Sequence, residues 1–329
     1  MSQRRVLVVG GAGYLGSVLT DRLLAAGHQV TIYDCLAFGR EPIAPLLARG
    51  ARLIHADIQD AELVSRAVSE HDAVILLAGL VGEKACAQDP HRTVAINVLG
   101  CIGVMEACRY HGTTRFIFAS TDSCYGVQTG IITEHNPLAP ISLYAETKKL
   151  LEERILTAWR ETTASGVADG FRPIILRMGT LYGLSPRMRF DLVVNILTWK
   201  ACAENTISIY GGEQWRPFVH VADAAEAYVR ALDAPADVVA GEIFNVGSND
   251  QNIQIRDLGR LVAAEFPGVE TRHVDQPPDL RDYYVDCSKI ERVLGWRAQR
   301  SLNDGVREIR YAVESGRFGN TLAPVYQNA

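Results

Sequence analysis

The stretch Val-Val-Gly-Gly-Ala-Gly-Tyr-Leu-Gly, residues 8–16, determines the expected fold of the N-terminal half. It joins a compact apolar run, Arg5–Val9, to a segment with helical spacing, residues 15–26. Its three spaced glycines are Gly10, Gly13 and Gly16. In a strand-to-helix turn the first glycine permits the tight bend, the second lets the backbone approach a diphosphate, and the third lets helix and strand pack closely. The positive end of the helix then favours phosphate, so the stretch predicts a dinucleotide-binding turn.

A carboxylate at the end of the next strand indicates which dinucleotide is bound. The run at residues 29–33 ends at Asp34, 18 residues after Gly16. A carboxylate at this position can hold the ribose hydroxyls of the adenosine and repels a 2′-phosphate. The combination predicts NAD rather than NADP as the cofactor. Tyr14 and Leu15, at the start of the helix, are assigned to the same site.

A second acidic position follows the third predicted strand. Asp57 and Ile58 are placed to contact the adenine ring. An aspartate directly after a strand is equally compatible with a helix cap, because its short side chain can accept from a free backbone N–H. Both interpretations stay open for Asp57.

The bulk composition excludes several classes of function. Of 329 residues, 48% are hydrophobic and 22% charged, which is typical of a soluble globular chain. The net charge is -5, so no overall basic field recruits nucleic acid or anionic lipid. No stretch approaches the roughly 18 consecutive apolar residues of a membrane span. The seven cysteines are scattered without a C-x-x-C pair, which favours reduced thiols in the cytoplasm over disulfides or a metal site.

The order of apolar runs predicts the architecture. Strands are expected at 5–9, 29–33, 51–55, 73–78, 115–119 and 173–177, with helices near 15–26, 60–70, 92–111 and 144–162. Apolar strands alternating with helices predict an α/β protein with a Rossmann-type doubly wound parallel sheet over residues 1–180. Residues 181–329 have a looser rhythm, with strands at 208–210 and 242–246 and helices near 188–204, 222–233 and 255–265. They are interpreted as a smaller C-terminal α/β substrate-binding lobe, with segments returning to the first domain.

Two side chains one helical turn apart suggest proton chemistry. Tyr144 and Lys148 share a helix face. An ammonium beside a phenol, with the positive nicotinamide nearby, is expected to lower the tyrosine pKa so that it can exchange a proton near neutral pH. Ser120 and Thr121 follow the fifth strand, at the sheet edge where such folds bind ligands. A hydroxyl there can hydrogen-bond the reacting oxygen.

Further motifs run in one order across almost the whole chain. They are VVGGAGYLG, STDSCYG at 120–126, YAETK at 144–148, LRMGTLYG at 176–183, RPFVHVAD at 216–223, FNVG at 244–247, and DCSK at 286–289 before LGW at 294–296. With these motifs the chain resembles an extended short-chain dehydrogenase/reductase of the nucleotide-sugar epimerase/dehydratase family.

The resemblance implies roles for individual residues. Tyr144 is expected to be the acid/base, Lys148 its pKa modulator and ribose anchor, and Thr121 the group that binds the reacting oxygen. The cofactor is expected to contact a further set: Leu77, Ala78, Gly79, Asn97 and Ser120. The nucleotide sugar is expected to contact Asp122, Thr180, Asn195, Arg216, Asp279 and Arg281. The pair Arg187 and Arg189 lies where nucleotide-sugar contacts are often found, although a solvated loop explains that pair and Asn195 equally well.

Two departures from the family pattern bear on the reaction. Ser123 stands where sugar 4,6-dehydratases carry a glutamate, so removal of the C5 proton has no evident base. The fourth strand ends Leu77-Ala78-Gly79 where many relatives have His-x-Ala, which is expected to reshape the pocket near the nicotinamide.

The leading hypothesis is therefore an NAD-dependent nucleotide-sugar epimerase acting at C4 through a transient 4-keto sugar. A ketoreductase, a dehydrogenase, or a dehydratase with displaced acid/base residues is the first alternative. A catalytically silent NAD-binding sensor is the second. The resemblance also implies a homodimer, formed through helices equivalent to residues 92–111 and 144–162.

Overall fold

A computed structural model describes residues 3–166, 170–274, 281–319, 321 and 323–328. The strands of the described residues are β1 (Arg5–Val9), β2 (Gln29–Asp34), β3 (Arg52–His55), β4 (Ala73–Leu76), β5 (Arg115–Thr121), β6 (Val127–Ile132), β7 (Arg172–Met178), β8 (Thr180–Tyr182), β9 (Thr206–Tyr210), β10 (Trp215–His220), β11 (Ile243–Val246), β12 (Asn252–Gln254), β13 (Glu270–Val274) and β14 (Asp282–Val285). The α-helices are α1 (Tyr14–Ala25), α2 (Ala44–Ala48), α3 (Ala61–Ser69), α4 (Glu83–Gln88), α5 (Pro90–Val94), α6 (Cys101–Tyr110), α7 (Leu143–Ala164), α8 (Val193–Glu204), α9 (Val221–Asp233), α10 (Ala236–Val239), α11 (Ile255–Ala264), α12 (Ser288–Leu294) and α13 (Leu302–Glu314).

Seven parallel strands form the central sheet, in the order β3-β2-β1-β4-β5-β7-β11. The strand order reverses between β1 and β4, which opens a crevice at their carboxyl ends. The glycine turn follows β1 at this crevice. The predicted Rossmann-type parallel sheet is confirmed.

Helices cover both faces of the sheet because its central strands are apolar on both sides. On one face α1 and α9 pack against it through side chains such as Leu19, Leu23 and Tyr228. On the other face α3, α6 and α7 contribute Val68, Val104 and others. The sheet is thus held rigidly, and its carboxyl edge is a fixed platform for ligand groups.

Residues beyond β7 build a second layer of structure over that edge. A three-stranded sheet, β12-β10-β8, and a two-stranded sheet, β13-β9, pack with α8, α11 and α13 around a separate apolar cluster. Strands β14 and β6 pair beside it. β11 lies at the edge of the seven-stranded sheet, and the chain therefore crosses between the two parts more than once.

Several predicted boundaries differ from the observed ones. The fourth strand ends at Leu76 rather than at residue 78, because the next two backbone N–H groups both turn to the Val9 carbonyl. The helix expected from residue 188 begins at Val193, after a loop. The helix expected at 92–111 contains a π-helical segment, Ala95–Gly100, between α5 and α6.

The segment Pro90–Tyr110 is more apolar than the sequence analysis predicts. Within the described part of the chain it is long and apolar enough to cross a membrane by length and composition, although the sequence predicts no such segment. Half of its most apolar window is buried inside the protein. A helix with buried residues of this kind is typical of a protein core.

Candidate active site

The glycine turn packs directly against the end of β4. Gly10 has φ +88°, and a Cβ atom there would lie 2.5 Å from the backbone nitrogen of Ala78. A Cβ at Gly16 would collide with the Gly10 carbonyl, whereas one at Gly13 would meet no protein atom closer than 3.4 Å. The turn therefore needs glycine at its two crowded positions and leaves open space beside the third. That space fits the diphosphate of a dinucleotide.

Helix α1 begins immediately beside that space. Its N-cap is Gly13, and no side chain caps it. Leu15 points into the core. The Tyr14 hydroxyl donates to the Gly183 carbonyl at 2.6 Å, so both side chains are directed into the protein. Any contact of Tyr14 and Leu15 with the cofactor is made by their backbone.

Asp34 lies beside the same turn, at the end of β2. One carboxylate oxygen accepts from the Ala12 N–H at 2.9 Å and the other from the Leu36 N–H at 2.8 Å. Burial raises the pKa of Asp34, and the two backbone hydrogen bonds oppose that shift. The carboxylate is thus fixed against the turn, in a position suited to ribose hydroxyls.

Replacing Asp34 by alanine is expected to weaken NAD binding by roughly 10- to 100-fold, since hydrogen bonds to a charged group are lost. The same change is expected to narrow the preference for NAD over NADP, because the charge that repels a 2′-phosphate is gone. Titration of both dinucleotides by calorimetry measures the two effects. The Asp237→Asn variant, at an exposed position on α10, is a control that should leave both affinities unchanged. An unchanged NAD-to-NADP ratio in Asp34→Ala contradicts the assignment.

The predicted adenine contacts lie after β3. Asp57 is exposed, and its carboxylate accepts from the backbone N–H of Gln59 at 2.9 Å. The cap of α3 is Asp60, which accepts from Leu63. Ile58 is buried and packs close to Gly100. The helix-cap interpretation of Asp57 is therefore wrong, and its adenine contact stays a prediction.

The loop after β4 is held in place by Asn97. The side-chain oxygen accepts from the Leu80 N–H at 2.7 Å, and the amide donates back to the Leu80 carbonyl at 2.9 Å. This bonding fixes the backbone just beyond Leu77, Ala78 and Gly79, which lies next to the glycine turn. The Asn97 side chain acts on the cofactor cleft through that loop.

The three expected catalytic residues come together at the end of β5. Tyr144 and Lys148 lie on α7, and the Tyr144 hydroxyl lies close enough to Thr121 for that hydroxyl to influence its pKa. The Lys148 ammonium donates to the Ala119 carbonyl at 2.8 Å and lies over the Phe118 ring. The Thr121 oxygen also accepts from the Ser123 N–H at 3.2 Å. The arrangement places one phenol and one hydroxyl side by side at the sheet edge.

The pKa values differ from the sequence-based expectation. Burial raises the pKa of Tyr144, with Cys124 adding to it, while the neighbouring Thr121 hydroxyl opposes the shift. Burial also lowers the pKa of Lys148. In the protein itself Tyr144 is therefore a protonated acid at neutral pH. The positive nicotinamide is the further charge that favours the phenolate.

A buried ion pair underlies this edge of the sheet. Arg177 on β7 contacts both carboxylate oxygens of Glu152, with Nη2 at 2.6 Å and Nε at 3.0 and 3.2 Å. Arg177 also donates to the Tyr125 hydroxyl at 2.8 Å. The Ser120 hydroxyl donates to Glu152. Ser120, predicted to contact the cofactor, thus joins β5 to α7 and positions the neighbouring Thr121.

Asp122 is the most unusual of the predicted substrate contacts. It is 1% exposed, and neither carboxylate oxygen has a hydrogen-bond partner among the described residues. Burial raises the pKa of Asp122 well above its ordinary value. Burial at the end of β5 thus favours the protonated form of Asp122, the form that can donate a proton or hydrogen bond.

A second carboxylate reaches this end of the site from α4. The Arg281 guanidinium lies 3.1 Å from Glu83 Oε1 and 3.1 Å from the Ser123 hydroxyl. The other Glu83 carboxylate oxygen is buried without a hydrogen-bond partner in the described structure. Arg281 thus connects a glutamate to the position where the family's dehydratases carry one. Asp279, predicted to act with Arg281, lies outside the described residues.

The remaining predicted contacts line the second lobe. Arg216 is buried, donates to the Trp215 carbonyl at 2.7 Å and stacks over Tyr283. Thr180 is half-buried on β8 and pairs in register with Phe218. Both residues come from strands of the β12-β10-β8 sheet. Their contacts with a nucleotide sugar stay predictions.

Asn195 and the two loop arginines lie toward the cofactor side. Asn195 is fully buried, with its oxygen accepting from Gly183 at 3.0 Å and its amide donating to the Arg189 carbonyl at 2.8 Å. Arg189 is paired with Asp191. Arg187 is buried rather than solvated, which excludes the solvated-loop interpretation for it. The Asn195 amide is thus already engaged within the protein.

Sequence reasoning missed two charged groups of the site. Glu83 is separated from Arg281 by 198 positions, and no motif connects them. Glu152 has a recognisable signal, because it lies one turn beyond Lys148 on the same helix. A carboxylate on that face, opposite a strand containing Arg177, could have predicted the buried pair.

The sheet order, the glycine turn and the Thr121-Tyr144-Lys148 cluster define a dinucleotide-binding enzyme of the Rossmann type. Residues 6–247 match the NAD dependent epimerase/dehydratase family, and the chain belongs to that family. Its cofactor is NAD.

Three similar proteins show the range within the family. The chain is 32% identical to UDP-N-acetyl-alpha-D-glucosaminuronate decarboxylase of Bacillus cytotoxicus, over 93% of this chain and 96% of that protein. It is 32% identical to UDP-glucose 4-epimerase of Mycolicibacterium smegmatis, over 92% and 96%. The NAD complex of the UDP-glucose 4-epimerase of Thermus thermophilus superimposes with a TM-score of 0.79 at 29% identity, covering 94% of this chain and 99% of the other.

Proposed function

We propose that this chain is a nucleotide-sugar 4-epimerase that works through a transient 4-keto sugar. The observation that carries the proposal is the proximity of the Tyr144 phenol to the Thr121 hydroxyl at the carboxyl end of β5, with Lys148 one turn along the same helix. A phenol and a hydroxyl so placed can bind one sugar oxygen and move its proton. The names of two relatives, both UDP-glucose 4-epimerases, support the assignment.

Each residue has a defined task in this reaction. Thr121 holds the 4-oxygen by a hydrogen bond. Tyr144 takes the 4-hydroxyl proton and later returns it to the ketone oxygen. Lys148, anchored on Ala119, is the nearby cation that favours the phenolate and can hold the ribose. Bound NAD supplies a hydride acceptor and then a hydride donor at C4.

Loss of water from the sugar is the second candidate reaction. It is supported by Asp122, a buried carboxyl whose pKa is raised by burial, and by Glu83, which Arg281 joins to Ser123. Together they provide an acid and a base of the kind that dehydration needs, although the base comes from α4 rather than from position 123. This is a dehydratase with displaced acid/base residues, the alternative that the sequence left open.

One experiment separates the two reactions. UDP-, dTDP-, GDP-, CDP- and ADP-hexoses, each carrying deuterium at C4, are incubated with the enzyme and followed by NMR. The epimerase is expected to interconvert the two C4 epimers with the deuterium kept at C4 and with no added NAD. A dehydratase would instead form a 4-keto-6-deoxy product whose C5 hydrogen comes from the solvent.

The outcomes are distinct. A Glu83→Gln variant should leave epimerisation within a few-fold of the parent, whereas it should stop dehydration, because the base is gone. Turnover that requires stoichiometric NAD(P)H and releases oxidised cofactor would contradict the epimerase and indicate a ketoreductase. A chain that converts none of the sugars while binding NAD would support a sensor.

Oligomeric state and location stay predictions. Side chains on the helices expected at a dimer contact are exposed, including Leu99 at 64%, Tyr110 at 84% and Leu150 at 43%. Apolar groups at such exposure are suited to burial against a second copy. We propose a homodimer on this basis and on the family resemblance, and a cytoplasmic location on the scattered cysteines without a C-x-x-C pair.

A further inference from the structure

A loop of the second lobe closes on the start of the NAD-binding helix. It follows β8, and the Gly183 carbonyl accepts from the Tyr14 hydroxyl at 2.6 Å. The Ser185 hydroxyl donates to the Tyr14 carbonyl at 2.7 Å and lies 3.1 Å from the Ser17 hydroxyl. The next charged residue of this loop is Arg187. The loop therefore brings Arg187 to the end of α1 that faces the diphosphate space.

Arg187 is held between both lobes and a C-terminal segment. It is 2% exposed, and its guanidinium carbon lies 3.6 Å from the ring centre of Phe38, in the loop after β2. One of its nitrogens, Nη2, donates to the Gln327 carbonyl at 3.2 Å. The neighbouring segment continues to Asn328, whose amide donates to the Val81 carbonyl in the loop after β4. Arg187 thus lies where segments from both sides of the cleft meet.

Among the described residues no carboxylate is paired with Arg187, although Asp34 and Asp191 lie near enough to raise its pKa. Its Nε is buried without a hydrogen-bond partner, and no described acidic group lies within salt-bridge distance. Asp191 is paired with Arg189, and Asp34 accepts from two backbone N–H groups. Burial and the adjacent Arg189 lower the pKa of Arg187 to about 10. A buried guanidinium in this situation is suited to an anion from outside the chain.

We propose that Arg187 is a binding residue for the diphosphate of NAD, and that its stack on Phe38 closes the cofactor cleft. The uncapped start of α1 and the guanidinium then approach the same anion from two sides. The adenosine ribose is held nearby by Asp34. An enclosed diphosphate exchanges slowly, so the cofactor stays bound between turnovers. The proposal depends on NAD binding and not on which sugar reaction the enzyme performs.

The first test measures cofactor exchange in the purified holoprotein. Protein with bound NAD is mixed with excess isotopically labelled NAD, and incorporation is followed over time. The Arg187→Ala variant is expected to exchange NAD roughly 10- to 100-fold faster, the factor for losing charge-assisted hydrogen bonds. Phe38→Leu, which keeps the charge but removes the stacked ring, is expected to exchange faster by a smaller factor.

The second test separates diphosphate binding from a structural role. Binding of ADP and of adenosine is measured by calorimetry after NAD has been removed. Arg187→Ala should weaken ADP roughly 10- to 100-fold and adenosine less than about 3-fold. Equal losses for both ligands, or no loss for either, would overturn the proposal, because a residue that only supports the fold does not distinguish them.

Two further variants serve as controls for these measurements. Arg310→Ala is a matched control, since Arg310 also stacks on a phenylalanine, Phe266, in the second lobe and away from the cleft. It should leave exchange and both affinities unchanged. Arg187→Lys keeps the positive charge. It should recover part of the ADP affinity. If Arg187→Ala does not fold, the ADP and adenosine titrations of Arg187→Lys test diphosphate binding in its place.

Discussion

Replacing Tyr144 by phenylalanine is expected to lower kcat by a factor of about 100 to 10,000, the range for removing a positioned acid/base group. The ring and its packing remain, so the loss reports the phenol oxygen alone. That oxygen lies beside Thr121, and burial raises its pKa, so the positive nicotinamide is needed before it can take the 4-hydroxyl proton. Turnover is measured by NMR on whichever nucleotide sugar proves to be the substrate.

Bound NAD and far-UV circular dichroism should match the parent protein in this variant. Tyr311→Phe is a suitable control because Tyr311 is 76% exposed on α13. It should leave kcat unchanged. A Tyr144→Phe enzyme with more than a tenth of the parent activity would rule out the proposed proton transfer by Tyr144.

The Glu152→Gln change is expected to lower the free energy of unfolding by about 3 to 5 kcal/mol, the cost of breaking a buried ion pair. Glu152 is 1% exposed and Arg177 3% exposed. Water therefore cannot solvate the Arg177 charge that the substitution leaves without a carboxylate partner. Urea unfolding followed by circular dichroism measures the change. The accompanying loss of the Ser120 hydrogen bond is expected to reduce kcat as well, by displacing Thr121.

The matched control is the adjacent residue on the same helix. Glu153 is exposed and lies 3.9 Å from Lys149, an arrangement that contributes little. Glu153→Gln should change the unfolding free energy by less than about 0.5 kcal/mol. If Glu152→Gln and Glu153→Gln prove equally stable, the buried pair does not support the active-site edge as inferred.

The N-terminal half was predictable because its signals are local. A strand, a spaced glycine turn and a helix follow one another within residues 5–26, and their chemistry does not depend on distant residues. The sheet and the cofactor followed from that stretch together with Asp34. Tyr144 and Lys148 were predictable for the same reason, since one helical turn separates them. The predicted boundaries of the elements were less accurate. At the end of β4, for example, backbone hydrogen bonds to β1 determine where the strand ends.

The charges around the reacting groups were not predictable from local sequence. Arg281 meets Glu83 across 198 positions, and Arg187 meets Phe38 across the two lobes. Such pairs form because the second lobe folds back over the carboxyl edge of the sheet. Burial then sets their chemistry, since a group such as Asp122 acquires its raised pKa only when water is excluded.

Local sequence predicts the Rossmann-type sheet, the NAD turn after β1 and the three candidate catalytic side chains, because each depends mainly on nearby residues. The charges that surround these groups depend instead on how distant segments of the chain pack together. Folding places Arg187 against Phe38 between the two lobes. Asn97 is hydrogen-bonded to the Leu80 backbone, and Ser120 is hydrogen-bonded to Glu152 of the buried ion pair. Arg281 contacts both Glu83 and Ser123. These results depend on packing between segments far apart in the chain, and the free energy of such packing is not encoded in any short stretch.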